Sequence, residues 1–339
     1  MKKYIQVLSV VASIAVVMMH TNGIFWEFAY EGYWVWSNLL ECLLYFAVPT
    51  FFIISGCNLI DYRKKYSTKI FFVKRIKKTV IPFLIWSVIA CVYLLAIGYI
   101  MPDSLTVQNV INAIFNAQYV SVYWFFMPLF GVYLCIPPLA MIPDENKKDI
   151  FKYLIVASFI FNIAAPFIFT MLDLAYNWNL SVEMAGGCLF FVLVGYYIDH
   201  YELTKRIKIL IYLSGFAGFC THFAGTWFLS FRDGALNETF KGYLTLPCVL
   251  YAVAVFLFFK DLNHTKLMSF LAKGFSFFSD ATFGVYLTHW FIINIWLRHV
   301  ATDRTTVLYR FWGGIAIFIV AAFLVKLIKK IPFIRNIVP

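Results

Sequence analysis

Long apolar stretches alternate with short polar segments along the whole chain. Each stretch is close to the ~20 residues that a helix needs to cross the ~30 Å hydrocarbon core of a bilayer. The pattern therefore predicts an all-α, polytopic integral membrane helical bundle with about ten transmembrane helices. The predicted spans are residues 4–22, 36–60, 79–100, 119–142, 153–172, 182–199, 209–230, 243–260, 276–298 and 307–326.

The positions of Lys and Arg predict how this bundle is oriented. If the N-terminus is cytoplasmic, 23 of the 28 Lys and Arg residues fall on the cytoplasmic side and five on the outer side. Cytoplasmic loops of membrane proteins carry an excess of positive residues. We therefore expect both termini to lie inside the cell.

Composition agrees with a membrane protein and narrows the function classes. The chain is 62% hydrophobic and 13% charged, whereas a soluble domain has about 45–50% apolar and about 25% charged residues. The first run is too long for a signal-peptide core and predicts a retained span. The net charge of +11 follows the topology, so we expect no nucleic-acid partner. The seven cysteines all fall in predicted spans without a C-x-x-C pair, so we expect no metal site. The loops between the spans are short, so we expect one transmembrane domain covering residues 1–339 without a soluble domain.

Polar and aromatic residues at one depth of the predicted bundle suggest a site. Ionisable groups are costly in hydrocarbon and usually face a cavity or pair inside the bundle. A helical rise of ~1.5 Å per residue from each predicted membrane boundary places six polar or aromatic residues nearer the outer face. The same count places Asp280 nearer the cytoplasm. The six are His20, Glu41, Trp124, Glu183, His222 and His289. We expect a polar chamber that opens outward; the alternative is scattered interhelical hydrogen bonding, which we favour for His222.

The first span carries a polar stripe that supports this chamber. Ser9, Ser13 and His20 share one helical face, because eleven residues make about three turns. Ala12 and Ala15 lie nearby and permit close approach of another helix. We therefore assign His20 a functional position.

Five segments, taken in order, resemble one known family. They are "AVVMMHTNG" (15–23), "AVPTFFIISG" (47–56), "FFVKRIKKTVIPFLIW" (71–86), "WFFMPLFGVY" (124–133) and "ATFGVYLTH" (281–289). In this order and on these spans they resemble the membrane acyltransferase-3 family over almost the whole chain. Its members include inner-membrane sugar O-acetyltransferases and the membrane half of a vancomycin-resistance serine racemase.

The resemblance implies a reaction. An O-acetyltransferase of this kind moves an acetyl group from cytoplasmic acetyl-CoA, the acyl donor, to a hydroxyl of a cell-surface polysaccharide or its lipid-linked precursor. The expected location is a bacterial cell (plasma or inner) membrane, as a multi-pass protein. The expected partners are membrane lipid and the sugar acceptor, and the oligomeric state is left open.

The resemblance and the depth pattern together give roles to individual residues. His20 is expected to act as general base on the acceptor hydroxyl or as a transient acyl carrier. Glu41 or Glu183 would orient it. His289 would assist or simply form a hydrogen bond between helices. The expected acceptor-binding residues are Trp124, Tyr133 and Asn22.

A basic loop offers a place for the phosphates of the donor. Residues 61–78 contain eight Lys and Arg residues, which attract polyphosphate, and Arg75 can bind it bidentately. The alternative is a topology anchor that touches anionic lipid. The residues expected to bind the donor are Arg63, Lys74, Arg75 and Lys78, with Ser9 on the first span.

Ser9 departs from the family pattern, which has an arginine eleven residues before the histidine of the first span. Serine cannot make a bidentate contact with phosphate. The chain is therefore impaired, a variant, or dependent on another cation.

Two other functions stay open at this point. A transporter of a small polar solute such as an amino acid suits the spans and the chamber, although the sequence lacks the inverted repeat common in such carriers and the basic loop has no evident use there. An inactive scaffold is the other.

The predicted topology can be tested by cysteine labelling. In a cysteine-free background, a cysteine at Lys65 is expected to react with an impermeant maleimide from the cytoplasmic side and one at Asn237 from the outer side. Labelling of both positions from outside would overturn the ten-span arrangement.

Overall fold

The computed structural model describes residues 2–339, apart from the side chain of Ser104. These residues are 78% helical and include no strand. A helix satisfies its backbone N–H and C=O groups internally, which is what a segment in lipid requires because water is absent there. The predicted all-α class is confirmed for the described part of the chain.

Sixteen α-helices lie within the described residues. They are α1 Lys3–Thr21, α2 Gly32–Leu44, α3 Ala47–Leu59, α4 Thr68–Arg75, α5 Ile81–Ala96, α6 Val107–Phe115, α7 Phe126–Met141, α8 Asp144–Ser158, α9 Ala165–Met171, α10 Leu189–His200, α11 Lys205–Asp233, α12 Leu246–Asp261, α13 Lys266–Gly274, α14 Ser276–Ser279, α15 Thr282–His299 and α16 Gly314–Lys330. Three π-helical segments continue these helices: Ile76–Val80 between α4 and α5, Phe159–Ala164 between α8 and α9, and Leu308–Gly313 before α16.

Each predicted span overlaps a helix, but the lengths differ. Among the described residues, seven helical segments are long and apolar enough to cross a membrane, and one of them joins α2 to α3. Helices α12 and α13, bent by 101°, make an eighth if they are counted as one span. Helix α10 has 12 residues and is shorter than the predicted span 182–199. The chain before α10 forms a 3-10 turn at Glu183–Ala185 and reaches Gly187 with a φ of 55°, so the helix begins only at Leu189. The ten-span count and the orientation stay predictions.

Helix α1 lies at the centre of the bundle. It packs against α2, α3, α12, α13, α14, α15 and α16. Its apolar stretch is 78% buried inside the protein, compared with 17% for that of α11. The side chains of α1 therefore contact other helices, while those of α11 mostly face outward.

Helices α3 and α10 approach each other more closely than side chains would allow. A Cβ added to Gly56 would lie 1.9 Å from the carbonyl oxygen of Val192, and one added to Gly195 would lie 2.1 Å from that of Ile53. Small residues permit such backbone contact between membrane helices, where packing is a main source of association. This contact holds α3 beside α10.

Ion pairs join the segments after α3 to the start of α8. The Lys147 ammonium, almost fully buried, lies 3.1 Å from a carboxylate oxygen of Asp61 and 2.6 Å from one of Asp144. Lys64 pairs with the same two carboxylates, at 3.1 and 3.0 Å. His200 at the end of α10 also approaches Asp61, at 3.4 Å. The predicted basic loop is therefore anchored partly by acidic groups of the protein.

The contact between α3 and α10 predicts that Gly56→Ala destabilises the fold. A methyl group 1.9 Å from a backbone oxygen must push the helices apart. Overpacking of this kind costs about 1–3 kcal/mol. Thermal unfolding of the purified protein should show a clear decrease in Tm.

Gly131→Ala is the matched control, since Gly131 also lies within an apolar helix and a Cβ there meets no atom within 4 Å. Equal thermal stability of the two variants would contradict the close packing of α3 on α10.

Candidate active site

A cavity of about 620 Å³ runs along one face of α1. The α1 residues that line it are Ile5, Ser9, Val16, Met19 and His20. The helix rises about 22 Å between the first and the last of these residues. The cavity is therefore elongated, and its two ends have different chemistry.

One end of the cavity is basic. Arg75, at the end of α4, and Lys78, in the π-helical segment that follows, both line it. The Arg75 guanidinium carbon lies 5.5 Å from the ring centre of Tyr133. Its Nε is buried and has no hydrogen-bond partner among the described residues. Buried donors are rarely left unpaired, so this end is suited to an anionic ligand.

The opposite end is lined by His20, which has a second histidine beside it. His20 lines the cavity, and the ring of His289 from α15 lies beside it with 5.2 Å between ring centres. The Nδ1 atom of His289 is 3.0 Å from the carbonyl oxygen of Val285. A carbonyl only accepts, so Nδ1–H donates and Nε2 of the neutral ring is an acceptor. That Nε2 is buried without a partner among the described residues, so it can still accept a hydrogen bond.

Glu41 lies at the same end as His20 and is already paired. Lys241 Nζ donates to Glu41 Oε1 at 2.8 Å, and both side chains are almost fully buried. Asn22 Nδ2 lies 3.4 Å from Glu41 Oε2. The Lys241 ammonium also sits 4.0 Å from the ring centre of Tyr45. The carboxylate of Glu41 is therefore neutralised by a cation that the sequence pattern had assigned to an outer loop.

Lys241 lies beside the candidate site through its pair with Glu41, and sequence reasoning missed it. One signal was present: a buried glutamate in a span needs a partner, and Lys241 is one of only five cations on the predicted outer side. Proximity of residues 41 and 241 could not be read from the sequence, since they lie 200 positions apart.

Several other predicted site residues also lie on the cavity. Trp124 lines the end near His20, whereas Tyr133 lines the basic end. Ser9 lies on the wall between the two ends, and its Oγ donates to the carbonyl oxygen of Gln6 at 2.9 Å. Asn22 is fully buried in hydrogen bonds with Ser37 and Glu41 and is absent from the lining.

Other candidates lie elsewhere. Glu183 lines a second cavity, where it accepts a hydrogen bond from Ser181. His222 is buried with its Nδ1 3.6 Å from Cys248 Sγ. Arg63 is exposed and outside both cavities.

Lys74 is exposed and stacks over Tyr66, with 3.8 Å from Nζ to the ring centre. Of the four basic-loop candidates, the structure therefore brings only Arg75 and Lys78 to the cavity.

Comparison with known proteins adds a family to this geometry. A family model described as an acyltransferase domain matches residues 2–328, which is nearly the whole chain. No curated protein and no solved structure gives a significant match. The chain therefore belongs to the acyltransferase-3 family and is a multi-pass membrane acyltransferase.

Proposed function

We propose that this protein moves an acetyl group from cytoplasmic acetyl-CoA to a hydroxyl of a cell-surface polysaccharide or its lipid-linked precursor, in a bacterial plasma membrane. One observation carries the proposal: a single cavity joins Arg75 and Lys78 at one end to His20 at the other. Acyl transfer across a membrane needs such a connection, because donor and acceptor approach from opposite sides.

The basic end suits the donor. Coenzyme A carries phosphates, and an Arg fork with an unpaired Nε binds phosphate bidentately. The thioester lies at the end of a long flexible arm. The cavity extends about 22 Å along α1, so the arm can lie inside it while the phosphates stay with Arg75 and Lys78.

The histidine end suits the chemistry. His20 removes the proton of the acceptor hydroxyl, and the oxygen attacks the thioester carbonyl carbon. The C–O bond forms, the C–S bond breaks, and the leaving coenzyme A sulfur takes the proton from the imidazolium. The same atoms balance if His20 first carries the acetyl group on its ring and then passes it to the hydroxyl. The ring of His289 packs against that of His20, with 5.2 Å between ring centres, and holds it in position.

Ser9 does not rule out donor binding in this arrangement. The family's arginine is absent from α1, but Arg75 and Lys78 reach the same cavity that Ser9 lines. These two cations therefore stay available to the phosphates of the donor although Ser9 supplies none. Their place on the cavity, together with family membership, favours an acyltransferase over the transporter and the inactive scaffold.

Arg75→Ala is expected to weaken coenzyme A binding and leave the protein folded. Loss of a charge-assisted pair costs about 1.5–3 kcal/mol, which corresponds to roughly ten- to a hundredfold in Kd. Isothermal titration or thermal shift of the protein in nanodiscs measures the change, with a free amino acid mixture as the comparison ligand for a transporter.

Arg63→Ala is the matched control, since it removes one arginine of the same loop outside the cavity. A much smaller loss of affinity is expected for it. Unchanged coenzyme A affinity in Arg75→Ala, or an equal loss of affinity in both variants, would show that the loop serves only as a topology anchor. Stabilisation by amino acids and not by coenzyme A would favour the transporter.

His20→Ala is expected to lower acetyl transfer, or acetyl-CoA hydrolysis, by about 10²–10⁴-fold with coenzyme A affinity retained, because it removes the base. Purified protein in nanodiscs provides both readouts. The control is His222→Gln, a buried histidine outside the cavity, which should affect thermal stability more than turnover. Turnover that survives His20→Ala intact would remove this residue from the mechanism.

A further inference from the structure

A second cavity of about 700 Å³ lies next to the first. It reaches the surface at Trp178, which is 62% exposed, and at Glu183, which is exposed. Val48, Trp124 and Tyr243 line both cavities. The second cavity therefore leads from the surface to the wall of the cavity that holds His20.

The shared wall is a stack of aromatic rings. Tyr243 stacks on Trp124 with 5.6 Å between ring centres and an angle of 15° between planes. On its other side it stacks on Tyr45, at 4.4 Å and 13°. Trp124 is 41% exposed, so part of its ring is free for contact. Such a wall offers flat apolar surface with polar edges.

The segment that carries Tyr243 is held in place by the buried ion pair. Lys241, two residues earlier, pairs with Glu41 of α2 at 2.8 Å. Thr245 Oγ1 donates to the carbonyl oxygen of Gly242 at 2.8 Å. The ring of Tyr243 is thereby fixed between the two cavities.

The charge of the second cavity differs from that of the first. The described residues that line it include no Lys, Arg or His, and its one ionisable acid is Glu183. Hydroxyl and amide groups come from Asn162, Ser181 and Thr239. A polyphosphate would find no cation there, which excludes a second site for the donor. A neutral ligand rich in hydroxyls would find an aromatic face and a carboxylate acceptor.

We propose that the second cavity binds the pyranose ring that bears the acceptor hydroxyl. The apolar C–H face of the sugar lies on the face of Trp124 that Tyr243 does not cover, beside the edge of Tyr243, and Glu183 accepts hydrogen bonds from ring hydroxyls. The hydroxyl to be acetylated then points past the aromatic wall toward His20. This assignment rests on the proposed function for the direction of transfer, but sugar binding itself needs neither donor nor turnover.

Protection of an introduced cysteine tests the assignment. Thr239 lines the cavity and is half-buried, and Thr239→Cys keeps the backbone N–H that donates to Asn237 Oδ1. The probe is a pool of glucose, galactose, mannose, N-acetylglucosamine and N-acetylgalactosamine at tens of millimolar. The pool is expected to slow maleimide modification of this cysteine severalfold, as measured on its peptide by mass spectrometry. Ala235→Cys, exposed on the same loop outside the cavity, should be unaffected.

Glu183→Gln gives a second measurement, because it removes only the charge of the acceptor. In the Thr239→Cys background it should raise the sugar concentration needed for protection by about tenfold. An unchanged modification rate with the pool, equal slowing at positions 235 and 239, or full protection in Glu183→Gln would each overturn the assignment. Because no donor is present, these outcomes are independent of the Arg75 and His20 experiments.

Discussion

Helix α1 is surrounded by seven other helices, and the site depends on that burial. A helix at the centre of a membrane bundle is surrounded by other helices and has no side that faces lipid. Its polar side chains must therefore face a cavity or pair with another residue. Ser9 and His20 accordingly lie on the cavity wall. Since α15 packs along α1, His289 is brought behind His20. The central helix thus supplies one wall of the cavity and the histidine at its end.

The buried ion pair between Glu41 and Lys241 connects this centre to the outer segments. A charge without a partner in a low-dielectric interior is strongly destabilising, whereas a paired and hydrogen-bonded charge is tolerated. Lys241 is also enclosed by aromatic rings, with 4.5 Å to the ring centre of Phe25 and 4.0 Å to that of Tyr45. The pair therefore links α2 to the segment before α12, and with it the ring of Tyr243 that separates the two cavities.

Charge is distributed unevenly along the main cavity, and this asymmetry suits a transfer reaction. Arg75 and Lys78 concentrate positive charge at one end, while the other end contains the imidazole of His20 and the carboxylate of Glu41, which Lys241 already neutralises. In the proposed function, the phosphates of the donor bind at the first end, which leaves its reactive group free to reach the second. Placement of reacting groups in one enclosed path is itself a large part of catalysis.

Local pattern was enough to predict the helices and the family. The apolar runs became helices because lipid forces backbone groups to pair within their own segment. The depth of the polar residues stays a prediction: His20, Glu41 and Trp124 line one cavity with His289 beside His20, whereas Glu183 and His222 lie elsewhere. The start of α10 was missed because a 3-10 turn and a left-handed glycine interrupt an apolar run without changing its hydropathy.

The sequence by itself determined which segments are helical and which residues are polar within them. Only the tertiary structure decided which of those residues meet. It placed Glu183 in a second cavity, joined Glu41 to Lys241, and left Arg75 Nε buried without a hydrogen-bond partner among the described residues. The reason is that depth depends on position along one helix, whereas contact depends on how each helix is rotated and packed against the others. That rotation is set by close contacts between distant segments, such as the glycines of α3 and α10.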